Sequence, residues 1–463
     1  MPIQTLATLA DIDAAEWDAL LPPAQPFLRH AFLSALEDSR SVTPATGWRP
    51  AHRVLRDPQG RLCAALPAYV KAHSYGEYVF DWSWADACQR AGIRYYPKLL
   101  VGVPFTPVAG ARLLGEDEGL QGLLASLGEE AEASGLSSIH VNFTDARADT
   151  LLAARDGWLE RLGCQYHWHN RGYRDFQDFL EALSSRKRKQ LRKEREQVGG
   201  QGIEFEWREG GQLSELEWDF VYLCYANTYL VRDRDPYLSR EFFGLLAERM
   251  PEAIRVVFAH QRGKPVAMAF SLVAGDTLYG RYWGCLAEFD RLHFETCFYQ
   301  GLEFAIGAGL ARFDAGAQGE HKLIRGFEPV LTRSWHTWRI PVCAMPWRSS
   351  SNRSGRECAP TPRRPTACCP TARPEGSRND RAWRPLSRCW CCRPIRGSGS
   401  CAARRYGPRR PRSPALRRSW SNCRYGAGHS SRPVACRSGI PRPAGRGPGP
   451  CPRPGRRPWG RGW

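Results

Sequence analysis

The chain has 463 residues, of which 42% are hydrophobic and 24% are charged, and this composition excludes a disulfide-stabilised miniprotein and a collagen-like fibre. The net charge of +19 is unevenly distributed, because the last 123 residues contain 28 of the 66 Lys and Arg residues but 3 of the 47 Asp and Glu residues. Residues 1–340 carry a net charge of −6, so the overall charge does not identify a protein that binds nucleic acid.

Cysteine usage and the absence of long apolar runs indicate the compartment. Six cysteines are spread singly over residues 1–340, as is typical of proteins in a reducing environment. The first residues lack the basic start and apolar run of a signal peptide, and no stretch contains the ~18 apolar residues of a membrane span. We therefore expect a cytoplasmic protein without a membrane span.

Residues 1–170 are predicted to form a first α/β module. A helix is expected in FLRHAFLSALEDS, followed by a hairpin whose apolar runs flank the turn from Asp57 to Gly60. A long helix in LQGLLASLGEEAEASG and a buried strand in SSIHVNF follow. The segment YVFDWSWAD alternates aromatic and polar residues, which favours a half-buried strand; the alternative is that Trp82 and Trp84 form a sugar-stacking surface.

Residues 171–200 are predicted to contain a basic connecting helix. Seven of the ten residues from 186 to 195 are basic, and neither Pro nor Gly interrupts the run from Asp178 before Gly199. Such a face is either solvated or binds the phosphates of coenzyme A, a nucleotide-linked sugar precursor or tRNA. The candidate phosphate-binding residues are Arg186, Arg188, Lys189, Arg192 and Lys193.

Residues 201–340 are predicted to form a second module with a parallel layout. The strand IEFEWRE precedes helices in SELEWDFVYLCYANTYL and SREFFGLLAERM and three antiparallel strands between residues 255 and 285. The helix HFETCFYQGLEFAIGAGL and the strand ARFDAG follow. This order predicts a mixed α/β fold in which the last helix packs back on the sheet. It is also the element order of GNAT acyltransferases, so we predict two GNAT-like modules in tandem.

The densest group of polar residues, in residues 315–327, directly follows the last of these strands, where α/β proteins place their sites. Acyl transfer to an amine needs a base, donors for the oxyanion and an acid for the leaving group. Glu320 or His321 is the candidate base. Candidate substrate-binding residues are Gln318, Lys322 and Arg325. The alternative is a helix start with Glu320 near the positive end of the dipole and solvated cations.

Two neighbouring segments supply further candidates. Tyr282, on the strand LYGRYWG, is a candidate leaving-group acid, although an aromatic strand is more often part of a core. His293 and Glu295 begin the following helix, where they either bind substrate or cap the helix. His167 and His169 have no further ligands at suitable spacing, so no metal site is expected.

Residues 341–463 contain 28 Arg, no Lys, 20 Pro, 14 Gly and 11 Cys, without hydrophobic periodicity. One interpretation is a genuine, disordered Arg/Pro-rich tail. The other is a GC-rich gene read out of frame, since disorder normally avoids Trp and Cys and a shifted frame from residue 335 encodes an amphipathic helix. We predict a frame disruption near Ser334, which resequencing tests: an intact frame there would refute it.

Five segments closely resemble the bacterial FemAB-like proteins, which are grouped with GNAT-type N-acyltransferases. They are residues 67–108, 183–196, 278–285, 293–304 and 316–327, the last of which reads GAQGEHKLIRGF. The resemblance implies a donor that is acyl-coenzyme A, such as acetyl-coenzyme A, or aminoacyl-tRNA. It implies a small-molecule or cell-wall precursor as acceptor, in peptidoglycan biosynthesis, and a site around the segment from Glu320 to Arg325 and Tyr282.

The sequence thus predicts an N-acyltransferase that transfers an acyl or aminoacyl group to an amine. One alternative is a noncatalytic module that binds a nucleotide-linked or phosphorylated ligand through the basic helix. Another is a nucleic-acid-binding protein that acts through the Arg-rich tail, with salt-sensitive binding. Mutation of Glu320 and His321 separates the first two, because an enzyme loses turnover while keeping its ligand.

Overall fold

The computed structural model describes residues 3–317 and 319–338. Gln318 and the predicted tail, residues 341–463, lie outside the described residues. The elements of the first half, in chain order, are β1 (Ile3–Leu6), α1 (Ala14–Asp18), α2 (His30–Asp38), β2 (Trp48–Pro50), β3 (His52–Arg56), β4 (Leu62–Leu66), β5 (Ala68–Lys71), α3 (Trp82–Arg90), β6 (Lys98–Val101), β7 (Leu114–Gly115), α4 (Asp117–Ala133), β8 (Ser138–Thr144), α5 (Ala146–Ala153) and β9 (Leu159–His169).

The second half contains six helices and six strands among the described residues. They are α6 (Phe176–Glu181), α7 (Ser185–Gly199), β10 (Ile203–Glu209), α8 (Glu215–Leu230), α9 (Arg240–Arg249), β11 (Ile254–Gln261), β12 (Lys264–Ala274), β13 (Thr277–Cys285), α10 (Leu292–Phe294), α11 (Gln300–Gly307), β14 (Arg312–Asp314) and β15 (Glu328–Trp338). A π-helical turn (Glu295–Tyr299) joins α10 to α11, and a 3-10 turn (Glu320–Arg325) lies between β14 and β15.

Eleven strands form one sheet in the order β10-β11-β12-β13-β14-β9-β15-β8-β6-β5-β2, and β1, β3, β4 and β7 form a smaller one. Each half contributes antiparallel strands, then a helix, then a strand parallel to the last antiparallel one: β6 is parallel to β8, and β13 is parallel to β14. The fold is therefore mixed α/β, as predicted.

The two halves exchange their last strands. Strand β9 ends the first half but pairs with β14 of the second half, and β15 ends the second half but pairs with β8 of the first. The two exchanged strands are antiparallel neighbours at the centre of the sheet, from the pair Glu328 and His167 to the pair His336 and Leu159. Each half therefore completes the sheet of the other, which makes the halves one structural unit.

Local chemistry explains many element boundaries. The turn between β3 and β4 forms because the Asp57 carboxylate accepts from the backbone N–H groups of Gln59 and Arg61, while Gly60 has a φ of 86°. Helix α8 begins at a capping box in which Ser214 and Glu217 satisfy each other's backbone N–H groups. None of the helices in the described part of the chain is both long and apolar enough to cross a bilayer.

Two predictions of secondary structure need correction. The predicted half-buried strand around YVFDWSWAD is wrong, because Trp82 and Trp84 lie on α3. Helical spacing places Trp84 one turn before the buried Cys88, and the period-two alternation of aromatic residues was misleading. The basic run of residues 186–195 lies on the single helix α7, but the predicted helix does not continue back to Asp178, since α6 ends at Glu181 and Ser184, with a ψ of 149°, is not helical.

Two buried histidines meet where β8 and β15 pair. The Nδ1 atoms of His140 and His336 are 2.8 Å apart, and both side chains are buried. Burial, together with the nearby cations Arg161 and Lys98, lowers the pKa of His336 to about 3, against the opposing effect of Asp81. Burial likewise lowers the pKa of His140. Both imidazoles are therefore neutral at pH 7.

We expect the folded state to lose stability as the pH falls below the unfolded-state pKa of His336, near 6.5. Between that value and about 3 the unfolded chain binds a proton that the folded chain does not, so acid favours unfolding. His336 alone should remove on the order of 2 kcal/mol between pH 7 and pH 5. Denaturant unfolding at pH 7 and pH 5 should show that His336→Phe loses less free energy of unfolding between the two pH values than the wild type does. An equal loss in the two proteins would show that His336 is not the source of the acid sensitivity.

Candidate active site

A gap opens between two parallel strands of the second half. Strands β13 and β14 pair over three positions only, ending at Tyr279 and Asp314. Strand β13 continues to Cys285 and stays paired with β12 on its other side, whereas β14 ends. Beyond Tyr279, β13 therefore has no strand partner on the β14 side within residues 3–317 and 319–338, and its backbone groups there face an opening. We call this opening the β13–β14 gap.

Cavities lie on both sides of the gap. The helix-side cavity, about 240 Å³, is bounded by β13, the π-helical turn and the 3-10 turn. The loop-side cavity, about 330 Å³, is bounded by β13, α8 and the loop before α3. Residues Gly280 to Trp283 and Ala315 line both cavities. The two cavities therefore meet at the gap.

The first half has an equivalent opening that is filled. Strands β6 and β8 pair up to Val101 and Val141. The buried guanidinium of Arg112 donates to the carbonyl oxygen of the next residue, Asn142, at 2.9 Å, and also to the carbonyl oxygens of Ala111 and Val108. This buried cation occupies the position in the first half that corresponds to the opening in the second half.

Lys322 lies on the 3-10 turn and lines the helix-side cavity, and its ammonium group reaches the end of β14. Its side chain is buried, and Nζ donates to the carbonyl oxygens of Ala315 at 2.8 Å and Gly316 at 2.6 Å. An ammonium group has three N–H donors, so one is left for a ligand. Burial lowers the pKa of Lys322 to about 8, although Asp314 opposes this effect.

His321 and His293 face the same cavity. Nε2 of His321 is buried without a hydrogen-bond partner among the described residues. Burial and the adjacent cations Arg325 and Lys322 lower the pKa of His321 below its usual value. Burial also lowers the pKa of His293 to about 4. Both rings are therefore neutral at pH 7, and His321 has an unoccupied nitrogen that can accept a proton.

The other candidate site residues between 315 and 327 that the structure describes are not among the residues that line the helix-side cavity. Glu320 is exposed and does not line the helix-side cavity, so of the two candidate bases His321 is the one that the structure places there. Gln318 lies outside the described residues. Arg325 is buried, and its guanidinium donates to Glu194 at 2.7 Å and to the carbonyl oxygen of His321 at 2.9 Å.

Tyr282 lines both cavities beside the gap. Its ring packs against Tyr225, Phe243 and Phe270, as expected for a core aromatic residue. Burial raises the pKa of Tyr282, and Arg281 partly opposes the shift. The hydroxyl therefore keeps its proton at neutral pH. The position of Tyr282 is compatible both with a core aromatic residue and with an acid that protonates the leaving group.

Helix α7 supports the site through side chains that face inward. Glu194 accepts from Tyr299 and, at 2.7 Å, from Arg325. Arg195 forms an ion pair with the buried Glu295 at 2.9 Å. These pairs join α7 to the π-helical turn and to the 3-10 turn. Glu295 is therefore held by Arg195 rather than presented to the helix-side cavity, of which it is not a lining residue.

The candidate phosphate-binding residues lie on the opposite, solvent-facing side of α7. Arg186, Lys189, Arg192 and Lys193 are exposed and Arg188 is half-buried. Arg192 donates to Gln177, and Lys187 donates to the carbonyl oxygen of Leu323 at 3.2 Å, which brings this helix next to the 3-10 turn. The exposed basic face therefore begins close to the helix-side cavity.

Arg281 and Cys297 are two of the lining residues that were not predicted from the sequence. Arg281 lines both cavities and donates to the carbonyl oxygen of Phe105 in the first half. Cys297 lines the helix-side cavity, and burial raises the pKa of its thiol. The position of Arg281 next to Tyr282 in the sequence was the feature from which Arg281 could have been predicted as a lining residue. Within residues 3–317 and 319–338, no group of three or more His, Cys, Asp or Glu residues is arranged to hold a metal ion.

Comparison with solved structures finds remote likenesses. The chain is 12% identical to FemX (TM-score 0.45), covering 73% of this chain and 97% of that one. It is 10% identical to L-PGS from Bacillus licheniformis (TM-score 0.43; 69% and 94% covered). It is 13% identical to a tandem GNAT protein from the clavulanic acid biosynthesis pathway (TM-score 0.41; 73% and 99% covered). None of the curated proteins matches the chain.

The family assignment rests on the sequence. The model of the FemAB-like family, described as peptidoglycan biosynthesis/recognition, matches residues 8–345. This range contains both halves of the sheet, the β13–β14 gap and every residue that lines the two cavities. Since the match covers well over half of the chain, the protein belongs to the FemAB-like family.

Proposed function

We propose that the protein is an N-acyltransferase that joins an acyl or aminoacyl group to an amine in the β13–β14 gap. The observation that carries this proposal is the pair of cavities that meet at Gly280 to Trp283 and Ala315. A donor in one cavity and an acceptor in the other bring two reactants into contact through the sheet, which is the main requirement of a two-substrate transfer. Membership in the FemAB-like family supports this enzyme class.

The side chains around the helix-side cavity supply the chemistry of such a transfer. Neutral His321 accepts a proton from the acceptor ammonium, and the free amine attacks the acyl carbonyl carbon. The carbonyl oxygen becomes an oxyanion, which the third N–H of Lys322 stabilises. The C–N bond forms and the bond to the donor thiol or hydroxyl breaks. Tyr282, which keeps its proton up to this step, donates that proton to the departing group, and the attacking nitrogen then loses its second proton, which restores the Tyr282 hydroxyl.

The donor enters from the helix side in this proposal. Acyl-coenzyme A, such as acetyl-coenzyme A, and aminoacyl-tRNA both carry phosphates: coenzyme A at the end of the pantetheine arm opposite the thioester, and tRNA along the backbone that ends at the aminoacyl ester. The exposed basic face of α7, formed by Arg186, Lys189, Arg192 and Lys193, begins next to the 3-10 turn and can hold such phosphates. A cytoplasmic enzyme that acts on a cell-wall precursor is consistent with the family description.

Thermal unfolding of the full chain with candidate donors tests the proposal. A donor present at about 100 times its dissociation constant should stabilise the folded state by about 2.7 kcal/mol. Acetyl-coenzyme A, coenzyme A and aminoacyl-tRNA serve as probes, and product formation with amine acceptors is measured with the donor that binds. Binding without any transfer would favour a noncatalytic phosphate-binding module, and the absence of both would reject the transferase.

Substitution of Gly319 tests the placement of His321. Gly319 has a φ of 115°, and a Cβ there would lie 2.3 Å from Cε1 of His321. Gly319→Ala should therefore displace the imidazole and lower the transfer rate by about 10²-fold. Gly309→Ala is the matched control, because Gly309 also has a positive φ, 66°, but its added Cβ meets no atom within 4 Å. Equal rates for the two variants would show that His321 has no role in the reaction.

A further inference from the structure

A third cavity in the first half contains polar groups that the proposed transfer does not use. This N-terminal cavity, about 170 Å³, lies against the exchanged strands β9 and β15. Arg161 and Gln165 are on the same face of β9, since they are an even number of residues apart. Nη1 of Arg161 and Oε1 of Gln165 are buried and have no hydrogen-bond partner among the described residues. Unsatisfied buried groups of opposite hydrogen-bonding type are a mark of a ligand site.

The surroundings hold both side chains in place. The Arg161 guanidinium lies over the Trp84 ring, 4.6 Å from its centroid, and Nη2 is 3.4 Å from the carbonyl oxygen of Phe80. Gln165 is 2% exposed, and its Nε2 donates to the carbonyl oxygen of Pro107 at 2.7 Å. No carboxylate of the described residues forms an ion pair with Arg161. The cavity therefore offers a positioned cation and a positioned acceptor.

The N-terminal cavity connects to the transfer site. It shares the lining residues Tyr78, Phe80 and Ala317 with the loop-side cavity, which reaches the β13–β14 gap. Tyr78 and Phe80 have φ values of 61° and 56°, an unfavourable conformation for bulky residues that is found mainly at functional sites. A ligand anchored at Arg161 can therefore extend along this loop to the gap.

We propose that Arg161 and Gln165 form the subsite that selects the acceptor, by binding an anionic group that lies next to an N–H or O–H donor. Arg161 binds the anion through its N–H groups, and Gln165 accepts from the neighbouring donor. A terminal carboxylate beside an amide N–H, or a phosphate beside a sugar hydroxyl, has this pattern. The inference rests on the proposed function, since it assigns the acceptor to the loop side and its amine to the gap.

Binding of small probes to the full chain tests the subsite separately from turnover. Saturation-transfer NMR titrations use N-acetyl-alanyl-alanine, its C-terminal amide and glucose 1-phosphate. We expect one of the two anionic probes to bind at least ten times more tightly than the amide, which identifies the anion as a carboxylate or a phosphate. Equal binding of all three probes, or binding of none, would overturn the proposal.

Variants assign the preference to its residues. Arg161→Met should abolish the tenfold preference for the anionic probe, and Arg161→Lys, which keeps the charge but loses the planar fork, should reduce it. Gln165→Leu should weaken binding of the preferred probe. Arg171→Met is the control, since Arg171 is exposed and pairs with Glu328. An unchanged preference in both folded Arg161 variants would refute the subsite even if transfer occurs, and an Arg161-dependent preference without any transfer would refute the transferase alone.

Discussion

Lys322→Met should lower the turnover number of transfer by about 10²–10³-fold, the usual effect of removing one donor from an oxyanion site. Methionine preserves most of the side-chain volume but cannot donate to the oxyanion. The carbonyl oxygens of Ala315 and Gly316 also lose their donor, so some loss of stability accompanies the change. Turnover is therefore measured at a temperature at which both proteins are folded.

The pH dependence of the rate distinguishes a charged Lys322 from a neutral one. Because the pKa of Lys322 is about 8, the ammonium form is present below that pH and is lost above it. The wild-type rate should therefore fall as the pH rises through about 8. In Lys322→Arg the charge persists, so the fall should disappear even though the absolute rate is lower. A fall at the same pH in this variant would assign the titration to another group.

Lys264→Met provides the matched control for Lys322→Met. Lys264 is an exposed lysine at the start of β12, and it lines neither of the cavities beside the gap. Its loss changes the net charge of the chain by the same amount without touching the reacting atoms. The rate should stay within twofold of the wild type. A comparable fall in the transfer rate of both variants would show that the rate depends on the net charge of the protein and not on the position of Lys322.

Local patterns in the sequence predicted most elements of the sheet but neither of its two central strands. Turn residues, caps and periodic apolar positions identified the helices α4, α8 and α9 and the strands β10 to β14. Strands β9 and β15 have mixed sequences, LERLGCQYHWH and EPVLTRSWHTW, whose side chains do not alternate cleanly between buried and exposed. Their partners are more than 100 residues distant in the chain, so pairing rather than local preference defines them.

Strand β15 also bears on the predicted change of reading frame. Its pairing with β8 continues across Ser334, with a bulge there, as far as Trp338 and Ser138. The FemAB-like match extends further, to residue 345. The residues after Ser334 thus contribute to the sheet, and sequencing of the gene from codon 334 onward remains the test of whether the frame changes.

The rule that sites follow strand ends predicted His321 and Lys322 as site residues, and both line the helix-side cavity together with Tyr282; their chemical roles remain predictions. It did not separate residues that face the cavity from those that face the core. In α7 the basic run suggested a solvated face, yet Glu194 and Arg195 point inward. Their spacing from the buried Leu191 and Val198 was the available signal, since residues three or four apart share a helix face.

Arg325→Met should lower the free energy of unfolding by about 3–5 kcal/mol, the largest effect on stability that we expect of a single change. The ion pair of Arg325 with Glu194 is buried, with side-chain exposures of 2% and 6%. The guanidinium also lies over the Phe294 ring, 3.7 Å from its centroid. Removal of the cation leaves the Glu194 carboxylate buried with only neutral donors, which is the main source of the destabilisation.

Denaturant unfolding of single and double variants isolates this pair. Arg333→Met is the control, because Arg333 forms exposed ion pairs with Asp149 and Glu160 that should contribute about 0–1 kcal/mol. Glu194→Gln combined with Arg325→Met should recover part of the loss, since no unpaired charge then remains in the core. A loss for Arg325→Met no larger than that of the control would mean that water reaches Glu194. Helix α7 would then be held against the 3-10 turn by its apolar face, and His321 and Lys322 would depend on that packing for their positions.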